Sequence, residues 1–178
     1  MSLIPLGFWA ASGGGGGGAA FDLLETVSLT SSASSVTFSG LGAYSDYKHL
    51  QLRMITMSDS GQIIYAKVNG STSGYYVHYL TGNGSNVSSS SFSSTYAWVG
   101  HTDTLTNAPG ASIVDILDFS STSKNTTIRS LTGKKASGSN INLNSNLWSS
   151  TAAMTSIELY PNAGNFIAGS RLSLHGVK

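Results

Sequence analysis

The sequence contains no cysteine and few charged residues. Of its 178 residues only 10% are charged, whereas soluble domains average about 25%. The absence of cysteine excludes disulfide bridges, thiolate metal ligands and cysteine nucleophiles. Nine basic and eight acidic residues give a formal net charge of +1 without a basic cluster. The sequence therefore lacks the electrostatic pattern of a nucleic-acid-binding protein, and hydroxyl and amide side chains must supply most of its surface polarity.

Long apolar runs are also missing. No run approaches the ~20 residues that a membrane-spanning helix needs, and no stretch combines an apolar face with clustered Lys or Arg. We therefore expect no membrane partner. The N-terminus has some features of a secretory signal, but no basic residue precedes Lys48, and Pro5 and Gly7 interrupt its apolar stretch.

The N-terminal residues have a composition of their own. An apolar segment, "LIPLGFW", is followed closely by six consecutive glycines. Polyglycine has no side chains to pack and loses the most backbone entropy on ordering, so it is typical of a tether. We predict that residues 1–20 form an extended anchoring arm and that residues 21–178 form a single domain. The predicted anchoring side chains are Leu3, Ile4, Pro5, Leu6, Phe8 and Trp9.

The remaining chain has the two-residue periodicity of β-strands. In "YKHLQLRM", Leu50, Leu52 and Met54 alternate with polar residues, and "IIYAKVNG" repeats this pattern before an Asn-Gly turn signal. Further strand candidates are separated by segments rich in turn residues, and no helical periodicity is evident. The candidates are "SVTFSG", "GYYVHYL", "TYAWVGH", "ASIVDILDF", "TTIRSLTG", "SIELYP" and "SRLSLHGV". They predict an all-β fold, an antiparallel β-sandwich of jelly-roll type, with a small closed barrel as the alternative.

The titratable residues form no recognisable catalytic pattern. Asp115 and Asp118 are three residues apart on a predicted strand, so their carboxylates point to opposite faces and cannot share a site. The histidines lack zinc-site spacing, and no G-x-S-x-G nucleophile elbow is present. We therefore expect no catalytic residue, no metal site and no cofactor, and hence a protein that is not an enzyme. The four histidines are His49, His78, His101 and His175.

Aromatic residues on two predicted strands are the remaining candidates for a binding surface. On the surface they could stack on sugars, or they could pack partly in the core and partly at a subunit interface, where Tyr and Trp are enriched. The second interpretation is the more general one, and both remain open from the sequence. The residues concerned are Tyr75, Tyr76, Tyr79, Tyr96 and Trp98.

Several segments resemble a group of small virion structural proteins of tailed bacteriophages, especially phages of aquatic bacteria and cyanobacteria. These segments include "SLIPLGFWAASGGGGG", "IVDILDFSSTSKNTT", "NLWSSTAAMTSIELYPNAGNF" and "AGSRLSLHGVK". The resemblance extends over nearly the whole chain and brings no catalytic motif. It implies a capsid decoration (cement) protein that docks through its N-terminal arm, or alternatively a short tail fibre or tail-tip protein that contacts the host surface. A free carbohydrate-binding module is a less favoured alternative.

The same resemblance defines the expected partners. They are another phage structural protein, either the major capsid protein or a tail or baseplate component, and further copies of the chain in a homotrimer. A host surface glycan is a possible ligand of the tail-fibre form. The expected location is the virion, assembled in the cytoplasm of the host bacterium.

Overall fold

The computed structural model describes residues 20–60, 62–135 and 139–178, and these residues form mainly β-strands. All nine segments predicted from their alternation form strands, and three further strands lie at Phe21–Ser28, Val87–Ser94 and Asn140–Trp148. The described residues include no helix long and apolar enough to cross a membrane. The elements are β1 (Phe21–Ser28), β2 (Val36–Ser39), a 3-10 helix (Leu41–Tyr44), β3 (His49–Thr56), β4 (Ile63–Val68), β5 (Tyr75–Gly82), β6 (Val87–Ser94), β7 (Ala97–His101), β8 (Gly110–Leu117), β9 (Thr126–Lys134), β10 (Asn140–Trp148), β11 (Ser156–Pro161) and β12 (Arg171–Val177).

The strands form two antiparallel sheets with the pairing of a jelly roll. An eight-stranded sheet has the order β1-β12-β3-β8-β9-β10-β5-β6, and a four-stranded sheet has the order β2-β11-β4-β7. Strand β1 pairs with β12, β2 with β11, β3 with β8, and β4 with β7, so the chain folds back on itself as one long hairpin distributed over two sheets. The predicted jelly-roll sandwich is therefore confirmed.

Two inserted hairpins extend the larger sheet beyond this jelly-roll unit. Strands β5 and β6 lie between β4 and β7 in the sequence, and β9 and β10 lie between β8 and β11. They pair in the order β8-β9-β10-β5-β6, so the larger sheet has twice as many strands as the smaller one. The extension therefore projects past β7, the edge strand of the smaller sheet.

The core lies between the two sheets and follows the predicted alternation. Leu50, Leu52 and Met54 of β3 are buried, as are Ile64, Ala66 and Val68 of β4. Trp148 of β10 is 4% exposed and belongs to the same core cluster. The described residues thus form a continuous hydrophobic core between the two sheets.

The core becomes polar where the extension meets the edge of β7. The side-chain amide of Asn146 on β10 accepts a hydrogen bond from the Trp98 backbone N–H at 2.9 Å and donates one to the Trp98 carbonyl at 2.8 Å. The Thr132 hydroxyl likewise accepts a bond from the backbone N–H of His101 at 2.9 Å. An edge strand has backbone groups without a neighbouring strand, and these side chains satisfy them. This contact explains why β10 directs asparagines inward and apolar residues outward.

Candidate functional site

The outer face of the eight-stranded sheet carries an exposed apolar surface. The cross-strand register aligns its residues in rows across the sheet, and one row runs Arg53, Ile113, Leu131, Leu143, Leu80. Monomeric proteins seldom expose contiguous apolar patches beyond a few hundred Å², and larger patches commonly mark interaction sites. The side chains on this face that are at least 40% exposed include Leu23, Ile55, Leu80, Val87, Ile113, Leu131, Ile141 and Leu143.

Part of this face is a groove of about 790 Å³, lined by residues of β1, β12, β3, β8, β9 and β10. Its depth comes from Ala111 and Gly133, which lie side by side on β8 and β9. In the same row Ile55 stands on one side and Ile141 on the other. A Cβ added to Gly133 would have only the Asn140 carbonyl near it, at 3.9 Å, so the space above this glycine is open. Two small residues between two isoleucines thus form a trough.

The charged side chains at the groove are cationic. Arg53 and Arg171 line it with their charged side chains, whereas the Lys134 Nζ donates to Gln62 Oε1 beside β4 at 2.6 Å, and none of the described lining residues is acidic. The Arg53 Nε donates to Gln51 Oε1 at 2.8 Å, and its guanidinium lies 4.9 Å from the centre of the Phe21 ring. Desolvation lowers the pKa of Lys134. The trough therefore favours an occupant that is apolar and carries no cluster of positive charges.

The predicted anchoring residues Leu3, Ile4, Pro5, Leu6, Phe8 and Trp9 lie outside the described residues. The structure does define where the chain enters the sandwich. Phe21, the first residue of β1, pairs with Val177 on the edge of the large sheet, and the Ala20 carbonyl accepts a bond from the Lys178 N–H at 3.4 Å. Phe21 and Leu23 both face outward on the side that carries the groove.

Most of the predicted surface aromatics belong to one half-buried cluster beside the edge of β7. The Tyr79 and Trp98 rings are stacked with centroids 5.5 Å apart, and Tyr96 stacks on Tyr65 at 3.8 Å. Phe92 contacts Trp98 edge-on at 5.2 Å. Desolvation is the main cause that raises the pKa of Tyr65. These rings bury much of their faces against each other, which stabilises the overhanging extension.

The other two predicted aromatics have opposite environments. Tyr75 is 1% exposed and belongs to the core. Its hydroxyl accepts a bond from the Val68 N–H at 2.7 Å, and this bond joins the two sheets. Tyr76 is 48% exposed on the outer face. Strand alternation separates these neighbours, because adjacent side chains point to opposite faces.

The carboxylates of Asp115 and Asp118 have different partners and do not share a site. Asp115 lies on the outer face and accepts a bond from Gln51 Nε2 at 2.8 Å. Asp118 follows β8 with a positive φ of 53° and forms an ion pair with Lys124 at 3.5 Å. The described residues contain no group of His, Asp and Glu arranged to hold a metal ion.

Sequence reasoning missed the outer apolar face because it missed β10. The segment "NINLNSNLW" alternates strictly and could have been recognised as a strand. The usual rule would then have directed Ile141 and Leu143 into the core, whereas the structure directs Asn142 and Asn144 inward. Comparisons with protein-family models, with curated proteins and with solved structures found no match to this chain.

Proposed function

We propose that this chain is a non-enzymatic structural protein of a tailed-phage particle, of the capsid decoration type, attached through residues 1–20. One observation carries the proposal: buried residues of the two sheets form one hydrophobic core cluster of the sandwich. We propose that the apolar side chains of the arm pack on a different surface. The sequence resemblance to small virion structural proteins supports the proposal that this surface belongs to another protein of the phage particle.

The energetics of the arm suit an attachment repeated over many copies. Burial of a large apolar side chain contributes about 1.5–3 kcal/mol, whereas ordering each glycine costs about 1–2 kcal/mol of backbone entropy. The net gain per arm is consequently modest. Assembly of the chain into a homotrimer would raise the effective concentration of the second and third arms and strengthen the attachment without new contacts.

Rebinding to particles depleted of this protein tests the proposal. The full-length chain is compared with a Phe8→Ser/Trp9→Ser variant, and Tyr76→Ser provides a control that removes an exposed aromatic from the body. We expect the control to attach like the unmodified chain and the arm variant to stay in the supernatant after sedimentation. Equal attachment of the arm variant would refute an anchoring role for the arm.

A short tail fibre or tail-tip protein is the second candidate. The observation that favours it is Tyr76, which is 48% exposed on the outer face, since an exposed aromatic ring is suited to stacking on a host glycan. The stoichiometry in purified virions separates the two candidates. A decoration protein is present in a copy number comparable to that of the capsid subunits, whereas a tail protein is present in far fewer copies.

A further inference from the structure

We propose that, in the free chain, residues 3–9 lie in the outer-face groove of their own sandwich. The chain carries two apolar features: the segment "LIPLGFW" in its sequence and the exposed trough around Ala111 and Gly133. Each is an aggregation hazard when it is exposed alone. Docking one on the other covers both. This inference does not rest on the proposed function.

The chain leaves the sandwich on the correct side for this contact. Phe21 and Leu23 lie on the same outer face as the groove, and Leu23 itself lines it. The cross-strand register places Leu131 four strands away from Phe21. Along the strand direction the two residues are about two outward-facing positions apart, and outward-facing positions occur at every second residue. With strands ~4.8 Å apart and a rise of ~3.3 Å per residue, this separation is about 23 Å.

The length of the spacer matches that separation. Ten residues, numbers 10–19, separate Trp9 from Ala20, and seven of them are glycine or serine. A Gly-rich chain of this length has a root-mean-square span of roughly 16–19 Å, and its full extension exceeds ~30 Å. Effective concentration is highest when the span of a linker is close to the distance between the sites, so intramolecular docking is favoured.

The shape of the face favours a chain segment over a second copy of the sandwich. Two copies related by a two-fold axis through the groove would place one trough opposite the other and leave an unfilled space between them, which loses packing contacts. Ile55 and Ile141 are three strands apart in one row, or about 14 Å, which accommodates one extended segment with its side chains. An aromatic side chain such as Phe8 would fill the open space above Gly133.

The charges of the two partners are also compatible. Residues 3–9 contain no charged side chain, and the described lining of the groove contains no acidic one. Arg171 is exposed beside Ile55, to which it is paired across β12 and β3. Its guanidinium can therefore stack on the face of Phe8 or Trp9, an interaction that proteins use often.

The cysteine-free chain makes a disulfide test direct. Full-length protein carrying Phe8→Cys and Leu131→Cys is oxidised under mild conditions at low concentration, and the intrachain disulfide is measured by mass spectrometry after digestion. The matched control carries Phe8→Cys and Ser145→Cys. Ser145 is exposed on the same face, at a similar distance from Phe21, but does not line the groove.

We expect the Leu131 pair to form the intrachain disulfide at least tenfold faster than the control pair. Adding Ala111→Phe, which fills the floor of the trough, should lower this rate to that of the control. Equal rates for the two pairs would overturn the proposal, as would disulfides formed only between chains, which would assign the groove to the arm of a second copy. No phage particle is present in this experiment. Its result therefore does not bear on the proposed attachment to virions, which the rebinding experiment tests separately.

Discussion

The contact between Asn146 and the edge of β7 leads to a quantitative stability prediction. Asn146 is 1% exposed, and its amide forms hydrogen bonds with both backbone groups of Trp98 and, at 3.2 Å, with the Ile128 carbonyl. The Asn146→Leu substitution keeps a similar volume and removes all three bonds. A net hydrogen bond contributes about 0.5–1.5 kcal/mol, and buried groups left without partners raise the loss. We expect a decrease of about 2–4 kcal/mol in the free energy of unfolding.

Asn144→Leu is the matched control for this substitution. Asn144 is on the same face of the same strand and is 4% exposed, but its amide donates only to the Ser130 hydroxyl, at 2.9 Å. Both substitutions bury an additional leucine side chain, so the difference between them isolates the contacts with the backbone of β7. We expect Asn144→Leu to lower stability by about 1 kcal/mol or less, because only one side-chain bond is lost.

Urea unfolding followed by far-ultraviolet circular dichroism measures both variants without relying on the fluorescence of Trp98, which lies beside the mutated site. In a domain of this size each kcal/mol corresponds to about 2–4 °C in Tm, so thermal unfolding provides an independent readout. A difference below about 0.5 kcal/mol between Asn146→Leu and Asn144→Leu would refute the reasoning. It would mean that the edge of β7 does not depend on side chains of the opposite sheet.

Two further predictions concern buried groups. Tyr75→Phe should lower the free energy of unfolding in urea by about 1–3 kcal/mol, because the buried N–H of Val68 loses its acceptor. The control Tyr76→Phe, on the exposed face, should change it by less than ~0.5 kcal/mol. Equal effects of the two substitutions would contradict this account. Burial, with a smaller effect from the charge of Lys134, lowers the pKa of His101 to about 4 from its ordinary 6.5. The unfolded chain therefore binds a proton first as the pH falls, so stability should decrease by up to about 3 kcal/mol between pH 6.5 and 4 through this group. His101→Gln should flatten that part of the urea-midpoint profile, and an unchanged slope would contradict the assignment.

Most of the fold could be predicted from the sequence because alternation is a local property. Strands such as β3 and β4 bury one face, and their Leu, Ile and Val residues therefore recur at every second position. Strand β6 escaped prediction because "VSSSSFSS" exposes most of both faces and has few apolar side chains. The short period of a strand pattern does not reveal which strands pair. The sequence predicted a jelly roll only as a class, without its two inserted hairpins.

The candidate site was largely hidden from sequence reasoning for a related reason. Alternation separates Ile141 and Leu143 from Asn142 and Asn144, but it does not state which set faces inward. That choice depends on the edge of β7, which lies more than forty residues earlier in the sequence. The aromatic residues were identified by type alone, and only the tertiary structure separates Tyr75 in the core from Tyr76 on the surface.

The most direct test of the proposed function is cryo-electron microscopy of purified virions that contain this protein. Our account predicts sandwich-shaped density in a regular array on the capsid, with continuous density for residues 1–20 leading into a neighbouring capsid subunit. Density for the sandwich with the arm away from any other virion protein would contradict the anchoring role, and absence of the chain from the particle would contradict the proposed function itself.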